Sequence, residues 1–266
     1  MKSPVFNKTN IPFATVSGIH GPQITEWFIM TLLTFGHGYN ALYEAQKKQS
    51  WGAAKSQSVQ DLVGQRLGVY GYGSIGRQAA RVAKALGMDV IAYTASPRES
   101  PESRRDKGFI VPGTGDPDGS IPSAWYSGTD KKSLHHFLGQ DIDVLLVGVP
   151  LTEATRHVLS ADEFETLSKK KAFVANIARG PIIDSKALRK ALEDDKLRGA
   201  ALDVTEPEPL PSDDPLWKAP NMFISPHVSG NTKDYAKRAF QVFEENLERR
   251  AKGEKLINVI DRKRGY

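Results

Sequence analysis

The sequence predicts an α/β protein in which helices cover both faces of a parallel sheet, the doubly wound arrangement. Two observations carry this prediction. Short apolar runs alternate with helical patterns along most of the 266 residues. The first of the well-defined runs begins at Leu67 and meets a glycine-rich turn, GYGSIG, which leads directly into a helical pattern and then into a second apolar run.

The glycines of this turn follow the spacing G-x-G-x-x-G, and each has a physical role between a strand and a helix. Gly71 permits the turn, Gly73 lets the backbone approach a pyrophosphate, and Gly76 allows close packing of helix on strand. Ser74 and Ile75 lie in the first helical turn, whose free N–H groups can bind phosphate. The spacing predicts a dinucleotide site; the alternative is a glycine-rich turn without a ligand.

The end of the second apolar run bears on the choice of dinucleotide. An NAD site usually has Asp or Glu here, which accepts hydrogen bonds from the adenosine ribose. This chain instead has Thr94, followed by Ser96 and Arg98. Because hydroxyls and an arginine suit a 2′-phosphate that a carboxylate would repel, we expect NADP(H) to be favoured, with NAD(H) possible. The alternative is that Arg98 is a solvated surface residue.

The other elements are predicted from the same alternation. Pro22 suits a first helical turn, and the apolar pattern from Gln23 to Lys48 predicts one long helix that is buried or contacts another subunit. Residues 97–130 are rich in proline and glycine and predict an irregular insert. Further strands are predicted at 143–150, 172–177, 199–204 and 222–225, and further helices at 132–137, 161–167, 184–195 with Asp184 as N-cap, and from about 231 to 250.

Composition excludes several classes of function. The chain has no cysteine, which rules out disulfides, cysteine metal sites and a thiol nucleophile and is compatible with a reducing compartment. Its net charge of +5 is scattered, which favours small anionic ligands over nucleic acid. No apolar run approaches a membrane-spanning length, and the first residues lack the apolar core of a signal peptide. We therefore expect a cytoplasmic protein without a membrane or nucleic-acid partner.

Polar side chains at the predicted strand ends suggest a reaction, because ligands bind beyond the carboxyl ends of parallel strands. Arg179 could hold a carboxylate with two hydrogen bonds, and His227 near a carboxylate could act as an acid or base. Spacing alone does not decide between Glu206 and Glu208 as that carboxylate. The alternatives are a surface ion pair for Arg179 and a loop histidine without a chemical role for His227.

Five segments in a fixed order resemble the D-isomer-specific 2-hydroxyacid dehydrogenases. They are GYGSIG (71–76), VPLTEATRHVLS (149–160), NIARGPIID (176–184), ALDVTEPEPLP (201–211) and SPHVSG (225–230). This family includes glyoxylate and hydroxypyruvate reductases, phosphoglycerate dehydrogenases and a corepressor branch. The resemblance implies a Rossmann cofactor domain that transfers a hydride between a nicotinamide cofactor and a small 2-keto or 2-hydroxy acid. Formate oxidation by a related branch is less favoured, because its additional Asn and Gln positions are not found.

The resemblance also implies roles for matching residues. Arg179 would bind the substrate carboxylate and polarise the carbonyl oxygen, His227 would donate a proton to that oxygen, and Glu208 would hydrogen-bond His227 and favour its protonated form. Asp203 and the backbone of Ile177 would bind the nicotinamide carboxamide. Further cofactor contacts would come from Val149, Pro150, Thr155 and Gly230. No metal is required.

The sequence departs from the family pattern near its N-terminus. Family members have a substrate domain made of two pieces that flank the cofactor domain, and the first piece is almost absent here. We expect a remnant of it at 1–21, the dinucleotide-binding domain at 22–229, and a return helix with a second remnant at 230–266. We also expect exposed apolar surface near the final helix and near Leu256 and Ile257. The alternative function is a non-catalytic dinucleotide-binding interaction module; the helical segment 23–48 favours a homodimer.

Overall fold

The computed structural model describes residues 4–51 and 59–262, and within these residues the chain forms one parallel sheet. Its strands are β1 (Arg66–Tyr70), β2 (Asp89–Thr94), β3 (Ala124–Ser127), β4 (Val144–Val147), β5 (Phe173–Asn176), β6 (Gly199–Leu202) and β7 (Met222–Ile224). The strand order is β3-β2-β1-β4-β5-β6-β7, and every pair is parallel. The prediction of a doubly wound parallel sheet is confirmed.

Helices lie on both faces of this sheet. The helices of the described residues are α1 (Pro4–Lys8), α2 (Gly21–Gly36), α3 (Tyr39–Lys47), α4 (Ser74–Ala85), α5 (Pro101–Arg104), α6 (Lys131–Leu138), α7 (Ala161–Ser168), α8 (Ser185–Glu193) and α9 (Tyr235–Ala251). Those that pack on the sheet are α2, α4, α6, α7 and α8. Leu146 of β4 packs with α2 and α4, whereas its neighbours Leu145 and Val147 pack with α6, α7 and α8. Successive strand residues point to opposite faces, so a strand covered on both sides reads as a continuous apolar run.

The prediction of one helix from Gln23 to Lys48 is wrong, because two helices occupy this stretch. α2 ends at Gly36, and α3 starts after Gly38, whose φ of +59° is left-handed and suits glycine. Ile24, Trp27 and Leu32 of α2 are buried, as the apolar pattern indicated. α3 has no buried residue, so the same pattern overstated the burial of its second half.

The segment 97–130 is also more ordered than predicted, since it contains α5 and the edge strand β3. The buried carboxylate of Asp116 organises it: it accepts hydrogen bonds from the hydroxyl of Tyr72 at 2.8 Å and from the amide of Ile121 at 3.1 Å. Arg77 of α4 is also buried and donates to the carbonyl of Asp116 at 2.6 Å. The insert is thereby fixed to the helix that follows the glycine turn.

The final helix α9 exposes apolar side chains, as the sequence predicted. Phe240, Phe243 and Leu247 are all more than half exposed and lie three and four residues apart, which places them on one side of the helix. Ile257 is instead buried against Ile19 and Leu256 is half-buried, whereas Val259 close by is 45% exposed. The predicted exposure is therefore present on α9 and at Val259 but absent at Ile257.

Replacing Asp184 with alanine is expected to destabilise the fold by about 1 kcal/mol at neutral pH. The Asp184 carboxylate caps α8 by accepting hydrogen bonds from the amides of Lys186 at 3.0 Å and Ala187 at 3.1 Å. Burial opposes ionisation, but the hydrogen bonds from Ala187, Ser160 and Lys186 outweigh it and hold the pKa of Asp184 below its usual value.

Urea unfolding at several pH values tests this prediction. Because the folded pKa is lowered, the stabilisation is present above the ordinary aspartate pKa and disappears as pH falls through the lowered value. Asp184→Asn, which keeps a good N-cap acceptor, is the matched control and should lose less stability at neutral pH. Equal losses for the two variants would contradict a capping role.

Candidate active site

Of the three motif glycines in the turn between β1 and α4, only Gly73 leaves room for a ligand. Gly71 has a φ of +106°, and a Cβ there would lie 2.7 Å from the carbonyl carbon of Gly148. A Cβ on Gly76 would lie 2.6 Å from the Gly71 carbonyl oxygen and 2.7 Å from Val69 Cγ1. A Cβ on Gly73 would meet nothing within 4 Å. The backbone at Gly73 therefore borders open space.

This open space lies at the N-terminus of α4, where Ser74 and Ile75 form the first turn. Gly73 occupies the N-cap position and has no side chain to satisfy the first amides of the helix. Free N–H groups and the positive end of the helix dipole favour an anion. The residues present therefore fit the pyrophosphate of a dinucleotide.

Of the predicted 2′-phosphate residues, Thr94 ends β2, and Ser96 and Arg98 lie in the loop that follows. The hydroxyl of Thr94 donates to the carbonyl of Ser96 at 2.8 Å, and Nη1 of Arg98 donates to the carbonyl of Ser103 at 2.5 Å. Nε of Arg104 in turn donates to the carbonyl of Arg98 at 2.9 Å. The Arg98 side chain is thus held against its own loop rather than extended into solvent.

The turn after β4 carries three further predicted cofactor residues. Val149 is half-buried and Pro150 is exposed at the carboxyl edge of the sheet. The hydroxyl of Thr155 donates to the carbonyl of Pro150 at 2.7 Å and accepts from the amide of Thr152 at 2.8 Å. Both bonds lie within the turn that contains Thr155, so its side chain stabilises the conformation of this loop.

Arg179 lies on a loop whose conformation is held by the buried side chain of Asn176. Asn176, at the end of β5, accepts a hydrogen bond from the amide of Ala178 at 3.0 Å and donates one to the carbonyl of Arg179 at 3.0 Å. The next residue is Gly180, where a Cβ would lie 1.8 Å from the carbonyl oxygen of Thr205. The Arg179 loop therefore packs directly on the loop that follows β6, and only glycine fits the contact.

Asp203, at the end of β6, is buried and anchors the loop that carries His227. Its Oδ1 accepts hydrogen bonds from the Ser225 hydroxyl at 2.6 Å and the Val228 amide at 2.9 Å, and its Oδ2 accepts from the amide and hydroxyl of Ser229. The His227 amide donates to the Asp203 carbonyl at 2.8 Å. Sequence reasoning missed the two serines; their placement two residues on either side of His227 was the available signal.

The structure shows which of Glu206 and Glu208 contacts His227, a choice that sequence spacing left open. Oε2 of Glu208 lies 3.1 Å from Nδ1 of His227, and Oε1 accepts a hydrogen bond from the amide of Thr205 at 3.1 Å. Glu206 instead pairs with Arg156, at 2.9 Å. An ionised carboxylate can only accept, so Nδ1 of His227 carries the proton and Nε2 is left for a ligand.

Arg179, Asp203 and His227 border one cleft with a volume of about 850 Å³, whereas Glu208 is not among its described lining residues. Residues from the glycine turn and from three strand ends line it, namely Ile75, Ile177, Arg179, Asp203, His227 and Gly230. Thr94, Ser96, Arg98, Val149, Pro150 and Thr155 are not among the described residues that line it. The cleft thus joins the predicted substrate groups to the first turn of α4.

His20 also lines this cleft, although sequence reasoning gave it no chemical role. Its ring packs edge-on against Tyr235, with the centroids 5.5 Å apart. Burial lowers the pKa of His20, and the nearby positive charge of Arg238 lowers it further. A neutral histidine therefore forms part of the wall that α2 and α9 contribute.

The fold and the glycine turn define an α/β dinucleotide-binding protein. A family model described as "D-isomer specific 2-hydroxyacid dehydrogenase, NAD binding domain" matches residues 29–110 and 119–229, which is more than half of the chain. The chain therefore belongs to the D-isomer specific 2-hydroxyacid dehydrogenase family, and the resemblance found in its five motifs is confirmed.

Individual relatives agree with this assignment. The chain is 34% identical to a D-3-phosphoglycerate dehydrogenase from Methanocaldococcus jannaschii over 81% of this chain and 36% of the relative. It is 32% identical to a glyoxylate reductase from Korarchaeum cryptofilum over 76% of this chain and 53% of the relative. The chain thus spans only about a third to a half of the length of these relatives.

A solved structure with the same fold is an NADPH-dependent glyoxylate/hydroxypyruvate reductase from Sinorhizobium meliloti, in complex with NADP and sulfate. The two chains are 27% identical and superpose with a TM-score of 0.73, which covers 97% of this chain and 74% of the reductase. Within residues 4–51 and 59–262, no helix is long and apolar enough to cross a membrane. The same residues contain no group of three or more acidic or histidine side chains arranged to hold a metal ion.

Proposed function

We propose that this protein is an NADP(H)-dependent D-2-hydroxyacid dehydrogenase that acts mainly as a reductase of small 2-keto acids. The observation that carries the proposal is the convergence of Arg179 and His227 at one cleft that also reaches Ile75 in the first turn of α4, with Glu208 bonded to Nδ1 of His227. The family assignment and the reductases among its relatives support it.

The proposed reaction assigns each side chain a step that the geometry allows. Arg179 holds the substrate carboxylate with two hydrogen bonds and polarises the neighbouring carbonyl. The nicotinamide, when bound, supplies the hydride that reaches the carbonyl carbon. Nε2 of His227 gives a proton to the carbonyl oxygen, which becomes the hydroxyl of the product. Glu208, at Nδ1, stabilises the imidazolium before transfer and orients the ring.

A spectrophotometric screen tests the proposal. Consumption of NADPH is followed with glyoxylate, hydroxypyruvate and branched 2-keto acids. We expect turnover with at least one of them and tighter binding of NADPH than of NADH. Equal or reversed affinities would contradict the cofactor preference, and cofactor binding without turnover would favour the second function below.

Arg98→Ala is expected to weaken NADPH binding about 10- to 100-fold, because a charged hydrogen bond contributes about 1.5–3 kcal/mol. NADH, which has no 2′-phosphate, should bind the variant as it binds the wild type. Isothermal titration with both cofactors measures the difference. Arg105→Ala, which removes an exposed arginine of the same segment, is the control and should change neither affinity. An equal loss for NADH would indicate a disturbed loop instead.

A second function is a dinucleotide-binding interaction module without turnover. One observation favours it: the apolar side chains Phe240, Phe243 and Leu247 on α9 are more than half exposed and offer a surface for another protein. In this reading the domain at 22–229 binds the dinucleotide, while 1–21 and 230–266 are parts of a substrate domain.

The proposal extends to assembly and location. Met30, Tyr39, Leu42 and Tyr43 of α2 and α3 are each more than two-fifths exposed, which supports a homodimer formed through this region. The absence of cysteine from the sequence supports a cytoplasmic location. Sedimentation at several protein concentrations tests the dimer, and a monomer throughout would contradict it.

A further inference from the structure

Glu206 and Glu208, which flank Pro207, contact different segments of the chain. Glu208 reaches His227, whereas Glu206 turns to the segment that precedes α7. Oε1 of Glu206 accepts a hydrogen bond from Nη1 of Arg156 at 2.9 Å, and Oε2 lies 2.5 Å from Nε2 of His157. The mechanism described above uses neither of these bonds.

The backbone of His157 is tied to the loop that presents Arg179. Its amide donates to the carbonyl of Pro181 at 2.7 Å, and the amide of Leu159 donates to the carbonyl of Ile182 at 3.2 Å. The ring of the same histidine then bonds to Glu206 on the other loop. His157 therefore connects the Arg179 loop with the loop that carries Glu208.

The two loops also touch through their backbones. Gly180 packs on the carbonyl of Thr205 so closely that a Cβ would lie 1.8 Å away. The Thr205 amide donates to Oε1 of Glu208, and its hydroxyl donates to the carbonyl of Pro207 at 2.8 Å. The bonds from Glu206 to Arg156 and His157 therefore add a side-chain link between two loops whose backbones already touch at Gly180 and Thr205. This link lies next to Thr205, whose amide binds Glu208.

Packing alone does not fix the acid–base pair, since the side chains of His227 and Glu208 are 50% and 40% exposed. We propose that Glu206 is a positioning residue that sets the Glu208–His227 geometry. Arg156 and His157 hold its carboxylate, and their own loop holds Arg179. The expected effect on turnover rests on the proposed function, whereas the expected effect on the Glu208–His227 geometry does not.

A positioning role differs from a contribution to stability. The side chains of Glu206, Arg156 and His157 are 34%, 45% and 47% exposed, and solvent-exposed ion pairs of this kind stabilise a fold little. The position of a proton donor matters more, because a misplacement of about 1 Å can lower a rate about 100-fold. The effect should therefore appear in kcat before it appears in the free energy of unfolding.

Glu206→Asp is the informative variant, because it keeps the charge but is too short to hold both partners. We expect kcat for keto-acid reduction to fall about 10- to 100-fold, with KM for the keto acid and Kd for NADPH within about twofold of wild type. Glu193→Asp on α8, which shortens an exposed partner of Arg189, is the matched control and should have wild-type kcat. A wild-type kcat for Glu206→Asp would overturn the proposal.

A second measurement does not need turnover. The ring resonances of His227 are followed over pH by NMR and assigned with a His227→Gln sample. In Glu206→Asp we expect the His227 ring resonances to move in the same direction as in Glu208→Gln, because in both variants the carboxylate no longer sits at Nδ1. If only the His157 resonances respond, Glu206 has a local role and the positioning proposal fails.

The double variant Glu206→Asp, Glu208→Gln completes the test. If Glu206 acts through Glu208, its change should have no further effect on the His227 ring resonances once Glu208 is replaced, which is a non-additive result. Additive shifts would overturn the proposal and indicate a long-range charge effect. Should the wild-type protein fail to reduce any keto acid, the proposed function falls, while the NMR result still decides the role of Glu206.

Discussion

We expect the His227→Gln protein to reduce 2-keto acids about 10²- to 10⁴-fold more slowly than the wild type, the usual contribution of a general acid. Glutamine can still donate a hydrogen bond but cannot transfer a proton near neutral pH. NADPH affinity should be unchanged, because the proposed pyrophosphate site lies at Gly73 and the first turn of α4. Steady-state kinetics and isothermal titration together test both parts.

The control for this prediction is His37→Gln, at an exposed position between α2 and α3. It should have wild-type kcat and KM. Glu208→Gln gives a graded comparison: it keeps an acceptor beside Nδ1 but removes the charge that favours the imidazolium. Its kcat should therefore lie between those of the wild type and His227→Gln. A His227→Gln protein with undiminished kcat would remove the histidine from the proposed mechanism.

The fold could be predicted because its signals are local. Apolar runs such as 143–150 ended at turns, and the helices between them were amphipathic, so alternation alone specified a parallel sheet. The break between α2 and α3 was missed because apolar periodicity continues across Gly36 and Gly38, and glycine weakens a helix without always ending it. β3 was missed because its residues are only half-buried at the sheet edge.

The site was less predictable, because its decisive contacts join residues far apart in sequence. Motif order named Arg179, Glu208 and His227, but Glu206 and Glu208 are equivalent by spacing and differ only in which neighbour each carboxylate meets. Asp203 was assigned to the cofactor, whereas the structure also makes it the anchor of the His227 loop. Roles of this second kind depend on three-dimensional neighbours that no local pattern specifies.

Arg179→Ala should lower kcat/KM for keto acids about 10²- to 10⁴-fold, because it removes two charge-assisted hydrogen bonds that contribute about 1.5–3 kcal/mol each. The loss should appear in KM as well as kcat, since the substrate carboxylate is bound in the ground state and the carbonyl is polarised in the transition state. Cofactor affinity should be retained, because the loop is shaped by Asn176 and not by the guanidinium.

Arg179→Lys separates charge from geometry in this prediction. Lysine keeps the positive charge but not the planar fork that matches a carboxylate, so its activity should lie between those of the wild type and Arg179→Ala. Arg189→Ala, which removes an exposed arginine of α8, controls for a general loss of positive charge and should be fully active. If Arg179→Ala retained wild-type kcat/KM, Arg179 would be an ordinary surface cation, and the cleft would need another group to bind an acid. Within the described residues that line the cleft, Lys233 is the cation left to examine, and its exposure on the loop before α9 predicts weaker discrimination among acids.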